Sequence, residues 1–376
     1  MQSKNILFVH QHKHVGGGQV YVNNLVKQLR KKDFKVTLLQ DTTLNELLKV
    51  LLTRKYSTII WCIIGSFDLK KFLISKLFRI KNIQITINIW SLDVVLPKLE
   101  HIAFRHKLKY ILTKTNRWFK QLLILKLSDG IAYLSQYEKK AFSKLLFYKT
   151  INKPSTIIYG AVDNQLFQNY EITKNQLKNS LGIKPGNKIL LVAGRVSQRK
   201  NYEDAFYVFS KLKNAFPNLY LYLILVGERK LADSSYLNFI FEKVSTFQIG
   251  SKTRILTGIN HPQIVKYFQA ADLFILPSKE YETFGLITLE AISCGCPTFG
   301  YIACANPEII TKGVNIFLAP SHNDNILVAK IKQFLELPEK RQQLLFNEER
   351  KNLAKFSWGK TTQKLIDLIN ELSSST

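Results

Sequence analysis

Acidic residues are scarce in this chain of 376 residues: 27 Asp and Glu stand against 54 Lys and Arg, a net charge of +27. Methionine occurs once and cysteine four times. Cys294 and Cys296 flank Gly295 with no histidine cluster nearby, so the cysteines read as buried free thiols and not as a disulfide framework or a metal site. Long apolar runs are also missing. The stretches Ile59 to Ile64 and Leu122 to Leu125 are too short to cross a bilayer. Met1-Gln-Ser-Lys leads straight into a strand without the hydrophobic region of a signal peptide. The expectation is a cytoplasmic protein without a transmembrane anchor. RNP, zinc-finger and helix-turn-helix signatures are absent too, which argues against nucleic acid as the partner of so basic a chain.

What is present is globular. Hydrophobic residues make up 46% of the sequence and aromatic ones 12%, enough for two domains, each with its own core, and too much for a disordered chain. The charge is uneven. Residues 1–165 hold 28 Lys and Arg against 9 Asp and Glu, and the remainder 26 against 18. A basic first half suggests an anionic surface, although a general lysine bias gives the same total. The densest part, Lys98 to Lys126, sets Lys98, Arg105, Lys107, Lys109, Lys114, Arg117, Lys120 and Lys126 against Glu100 alone. Phe104, Tyr110, Trp118, Phe119 and Leu122 are interleaved with them. Such a mixture suits the interface of an anionic membrane, where each cation contributes about 1 kcal/mol. The plainer alternative is a core-packing helix with a solvated basic face. Lys70, Lys71, Lys76, Arg79 and Lys81 nearby favour the membrane.

Periodicity predicts an α/β chain. Asn5 to His10, Lys35 to Gln40, Thr58 to Ile64 and Ile83 to Ile89 read as buried strands, with helices near 44–52 and 69–78 between them. After the first strand comes a loop, Gly16-Gly17-Gly18, then a helix from about Gln19 carrying Val22, Leu25, Val26 and Leu29 on one face. Strand, glycine loop and helix N-terminus together form a cradle for an anion. His10, His12 and His14 alternate as metal ligands do, but no carboxylate stands at ligand spacing, and lining a cleft suits them better.

In the second half, a strand at Lys188 to Ala193 is followed by Gly194-Arg195 and Lys200-Asn201, and a helix begins near Tyr202. Two cations five apart on such a loop can converge on one diphosphate. A further strand, Leu273 to Leu276, ends at Pro277, and a helix is expected from about Thr283 with apolar Leu286, Ile287, Leu289 and Ile292. Glu282 and Glu290 would then lie about 12 Å apart along the helix. That is too far for an acid and base acting on one atom, but it suits two carboxylates gripping different ends of an extended polar ligand. Free N–H groups at the helix start and at Gly285 favour negative charge between them. Hydroxyls at both ends and a charged middle describe a nucleotide sugar.

Several short motifs occur in one order: Asp272…Pro277-Ser278, Glu282-x-Phe284-Gly285, Glu290-Ala291, Gly295-x-Pro297 and Pro307-Glu308. Together they resemble the donor-binding segment of retaining GT-B glycosyltransferases, most closely the family 4 type with its Glu-x7-Glu signature. Thr156 to Asp163 with Phe167 is similar to that family's passage into its second domain, and Phe356-Ser357-Trp358 to its closing segment. The resemblance implies two doubly wound Rossmann-like domains facing a central cleft. Residues 1–165 would form the acceptor side and 166–356 the donor side, with a last helix, about 357–376, packing back on the first.

Further roles follow from the resemblance. Arg195 and Lys200 would hold the donor diphosphate and stabilise the charge that leaves. Gly16, Gly17 and Gly18 would close over it, while Phe284, Gly285 and Leu286 line the donor. Glu282 would accept hydrogen bonds from the transferred sugar and Glu290 from the ribose hydroxyls. His10, His14 and Trp90 would sit on the acceptor side, with Trp90 standing where many members carry a histidine. Asn201 replaces a usual glycine, and Gln19 a frequent glutamate. No metal or other cofactor is implied. The expected reaction moves a sugar from a nucleotide-diphosphate donor, a UDP-sugar ahead of a GDP-sugar. The expected acceptor is a membrane-associated or lipid-linked glycan in cell-surface polysaccharide or glycolipid synthesis, with the enzyme peripheral on the inner face of the membrane. Trp90 and Gln19 keep open a catalytically inactive GT-B-fold partner or chaperone subunit, and an epimerase or phosphorylase of the same fold is a third reading.

Overall fold

A computed structural model describes residues 5–10, 17–63, 69–77, 83–88, 116, 119–144, 152–163, 166–167, 173–226, 234–278, 282–310 and 316–375. The chain forms two compact units, one of residues 1–161 with 357–376 and one of residues 162–356.

The first unit is built on six strands: β1 (Asn5–His10), β2 (Lys35–Gln40), β3 (Thr58–Ile63), β4 (Ile83–Asn88), β5 (Gly130–Tyr133) and β6 (Ser155–Ile157). They lie in the order β2-β1-β3-β4-β5-β6, every pairing parallel. Parallel strands need crossover connections, which here place helices on the sheet faces, so central strands are apolar on both sides. Ile6, Leu7, Phe8 and Val9 of β1 are accordingly all buried. The expectation that β2 is buried fails. It is the edge strand, exposed at both ends and half-buried between, because one of its flanks has no neighbour.

The last helix, Trp358–Ser374, belongs to this unit. Ser357 caps it by accepting from the Lys360 N–H, and its apolar face buries Leu365, Leu368, Ile369 and Leu372. Trp358 packs on Tyr21 at 5.4 Å between ring centroids, and the Thr361 hydroxyl donates to the Tyr159 carbonyl at 2.8 Å. At Gly130 a Cβ would lie 2.7 Å from Leu372, so the absent side chain is what lets the helix close on β5.

The second unit has β7 (Lys188–Gly194), β8 (Leu219–Val226), β9 (Thr253–Ile259), β10 (Leu273–Leu276), β11 (Thr298–Tyr301) and β12 (Leu318–Ala319). All pair in parallel in the order β12-β11-β10-β7-β8-β9. That is the dinucleotide-fold order, and its direction reverses between β7 and β10. Two doubly wound parallel sheets make the GT-B architecture. At the reversal the connections leave in opposite directions, so a crevice opens outside the carboxyl ends of β7 and β10.

Asp272, one of the residues in the sequence motifs, sits at the other end of β10. Its Oδ2 accepts from the Ile189 N–H and from Lys178 Nζ, both at 2.7 Å, and Lys174 lies 3.6 Å from its Oδ1. It ties β10 to β7 and to the helix Lys174–Ser180, a structural role at the end of the sheet away from the crevice.

Candidate active site

The crevice of the second unit collects what leaves β7 and β10. From β7 come Gly194, Arg195, the single 3-10 turn Gln198–Lys200 and the helix Tyr202–Leu212. A Cβ at Gly194 would meet the Tyr202 hydroxyl at 2.9 Å and Lys200 Cε at 3.4 Å, so glycine there lets both side chains cross the strand end. The Tyr202 hydroxyl donates to the Arg195 carbonyl at 2.8 Å. Burial raises the Tyr202 pKa far above its ordinary range, the positive charge of Arg195 pulls it down, and Glu282 adds a raising contribution. Tyr202 therefore remains a neutral donor and holds the loop that carries Arg195, whose side chain is exposed.

Asn201, found where a glycine was expected, has φ 51° and ψ 49°. This left-handed conformation is one that asparagine tolerates better than other residues with a side chain. Its amide also donates to the Pro277 carbonyl at 3.1 Å. The departure from glycine thus keeps the backbone conformation and adds a tie between the β7 and β10 loops.

On the β10 side the helix begins at Leu286, not near Thr283, with Gly285 as its cap at φ 85°. The left-handed glycine breaks the helical path, and Thr283 and Phe284 form bends before it. Glu282 is consequently off the helix, and the expected rise of the two carboxylates along one helix does not apply. Instead Glu282 Oε2 accepts from Lys200 Nζ at 2.6 Å, with the two side chains 26% and 16% exposed. The Glu282 N–H donates to Cys304 Sγ at 3.4 Å. Phe284 is buried and packs on Phe356 at 5.7 Å.

Glu290, inside the helix Leu286–Ser293, is buried. Its Oε1 lies 2.8 Å from Nε2 of His261, in the loop after β9. Burial pulls the His261 pKa down, but the hydrogen bond and the charge of Glu290 more than offset it, so the imidazole titrates above its ordinary value. His261 and Tyr202 were not singled out in the sequence. A lone histidine after a strand carries no signal until the fold brings its partner across from another helix.

The structure thus gathers Arg195, Lys200, Glu282, Gly285, Leu286 and Glu290 at one end of one sheet. Gly17 and Gly18, expected in a loop, are the first residues of the helix Gly17–Arg30 in the first unit, where helix N–H groups are free of intrahelical partners. His10 ends β1 and is fully buried. His12, His14, Gly16 and Trp90 lie outside the described residues, as does most of Lys98 to Lys126. Within that segment 119–127 is helical. Ile124 and Leu125 are buried in it and Phe119 is 58% exposed. Two of the lysines read as favouring a membrane are tied into the fold. Lys71 donates to the Thr42 carbonyl at 2.6 Å, and Lys76 lies 3.8 Å from Asp129.

All four cysteines are buried free thiols, and burial first, then the charge of Glu290, pushes Cys294 up to about 12. Among the described residues no group of three His, Cys, Asp or Glu is placed to hold a metal ion. Nor is any helix among them long and apolar enough to cross a membrane.

Residues 173–351, nearly the whole second unit, match the family described as Glycosyl transferases group 1. Mannosylfructose-phosphate synthase of Agrobacterium fabrum is 26% identical over 56% of this chain and 46% of its own length. A D-inositol 3-phosphate glycosyltransferase of Catenulispora acidiphila is 26% identical over 56% of this chain and 50% of its own length. The chain thus spans about half of these two curated relatives. An uncharacterized glycosyltransferase of Methanocaldococcus jannaschii is 23% identical over 96% of both chains. Among solved structures, sucrose-phosphate synthase from Thermosynechococcus elongatus superposes with a TM-score of 0.76 at 16% identity, over 99% of this chain and 100% of that one. Anabaena HepE, solved with UDP and glucose, gives 0.70 at 16% identity over 98% and 99%. At such identity these two structures carry the fold alone.

Proposed function

We propose that this chain, whose residues 173–351 match the group 1 glycosyltransferase family, is a retaining enzyme that moves a sugar from a UDP-sugar to a membrane-associated or lipid-linked glycan. The observation that carries the reading is the Lys200–Glu282 pair at the reversal point of the second sheet, with Arg195 on the same loop after β7. A cation for a diphosphate and a carboxylate for sugar hydroxyls stand side by side, which is where the bond between them would break.

The mechanism is electrostatic. As the bond from the anomeric carbon to the diphosphate oxygen lengthens, negative charge grows on the diphosphate. Arg195, Lys200 and the N–H groups at the start of the helix Leu286–Ser293 take up that charge. Glu282 accepts from hydroxyls of the sugar and Glu290 from those of the ribose, and the acceptor hydroxyl attacks from the face the diphosphate leaves, passing its proton to the departing diphosphate oxygen. No protein nucleophile is assigned. The choice of UDP is supported by the fold shared with HepE, which binds UDP and glucose. The acceptor class is supported by apolar side chains exposed on basic helices of the first unit: Leu77 at 82% and Phe119 at 58%.

The test is to incubate the protein with labelled UDP-sugars and lipid-linked or soluble oligosaccharide acceptors, and to read the anomeric configuration of the product by NMR. An α-linked donor should yield an α-linked product that needs the acceptor. Inverted product, or turnover that needs orthophosphate in place of acceptor, would overturn the reading.

A further inference from the structure

Resting on the reading of Glu290 as the ribose ligand, we infer that His261 is a positioning residue for donor binding. It holds one oxygen of Glu290 so that the other is presented to the ribose hydroxyls. Oε1 of Glu290 is engaged by His261 Nε2 at 2.8 Å, while Oε2 has no hydrogen-bond partner among the described residues. A carboxylate with one oxygen fixed and one open is oriented for a diol. A glutamate without such a partner would spread over several rotamers and lose entropy on binding.

Three features hold the imidazole in turn. The pairing of β8 with β9 skips Gly258, which sits at φ 75°, and this bulge re-aims the strand end just before His261. The following loop closes on itself: the Asn260 N–H donates to Gln263 Oε1 and the Gln263 N–H to Asn260 Oδ1, both at 3.0 Å. The ring also packs against Phe167 at 5.2 Å between centroids, and Phe167 is itself buried. The histidine therefore touches both a buried aromatic ring and the carboxylate, on a loop with its own internal bonds. A merely solvated histidine requires none of this.

Titration calorimetry with UDP, GDP and their 2′,3′-dideoxy forms tests the assignment, using whichever nucleoside diphosphate binds the wild type more tightly. Wild type should favour the ribose form. His261→Phe, which keeps the ring packing, should weaken that form about tenfold, the scale of a hydrogen bond to a charged group. It should leave the dideoxy form unchanged, so that the preference collapses. His261→Gln, whose amide nitrogen can take the place of Nε2, should restore most of it. A structural role alone would lower the melting temperature and weaken both forms equally.

If Glu290→Gln loses the preference while His261→Phe keeps it, or binds the ribose form more tightly, the inference fails and the reading of Glu290 stands. If Glu290→Gln keeps the preference, or no nucleoside diphosphate binds the wild type, that reading fails and the inference with it.

Discussion

Lys200 Nζ lies 2.6 Å from Glu282 Oε2, so in the ligand-free protein the cation assigned to the diphosphate already has a counter-ion. A bound diphosphate must share Lys200 with that carboxylate. Lys200→Ala should lower turnover about 10²–10³-fold, as the loss of one charge-stabilising donor does. Its effect on stability should be about 1 kcal/mol or less, because the pair is partly exposed. Glu282→Gln should behave differently. It should bind UDP more tightly, having removed a carboxylate beside the phosphates, and yet transfer sugar more slowly. Calorimetry and steady-state rates on the two variants check both expectations.

Asn201 offers a test of the loop that carries the cations. Asn201→Gly should keep the left-handed conformation and lose the bond to the Pro277 carbonyl, at a cost of about 1 kcal/mol. Asn201→Val should cost more, since a β-branched residue at positive φ adds strain of about 1–3 kcal/mol. Denaturant unfolding gives the order of stability, and UDP affinity should fall in the same order.

Asp272 separates motif from mechanism. Replacing it with alanine leaves the Lys178 ammonium, 5% exposed, without its carboxylate. That should destabilise the protein by about 3 kcal/mol, the scale for breaking a buried pair. UDP affinity below the melting transition should be unchanged, since Asp272 lies at the end of β10 remote from the crevice.

The raised pKa of His261 gives a pH dependence of stability. Its contribution is fully present below the unfolded value, about 6.5, and is lost as pH rises through the higher folded value. The melting temperature of the wild type minus that of His261→Gln should therefore be largest in mild acid and should shrink as the solution becomes alkaline. A flat difference across this range would contradict the pairing.

Much of this was legible in the sequence because apolar runs bounded by glycine and proline mark buried parallel strands, as in Leu273–Leu276 before Pro277. That Arg195, Lys200, Glu282 and Glu290 share one end of a sheet was legible because each lies just after a strand or on the helix that follows. What could not be read depended on neighbours far along the chain. The run Lys35–Gln40 looks like a core strand, and nothing in it says that the sheet ends there. Gly285 inside an apolar pattern does not reveal whether it continues a helix or turns left-handed to start one. Asn201 read as a departure until its φ and its bond to Pro277 showed why asparagine serves. His261 meets Glu290 only after β9, β10 and the next helix have packed.

In the proposed function the crevice at β7 and β10 binds a nucleotide-diphosphate sugar through Arg195. The most direct test measures the melting temperatures of wild type and Arg195→Ala against UDP-, GDP-, ADP- and CMP-sugars, since a ligand that binds only the folded state must raise the transition. A rise with UDP-sugars that is lost or strongly reduced in the variant is expected. No rise with any donor, or an equal rise in both proteins, would contradict it.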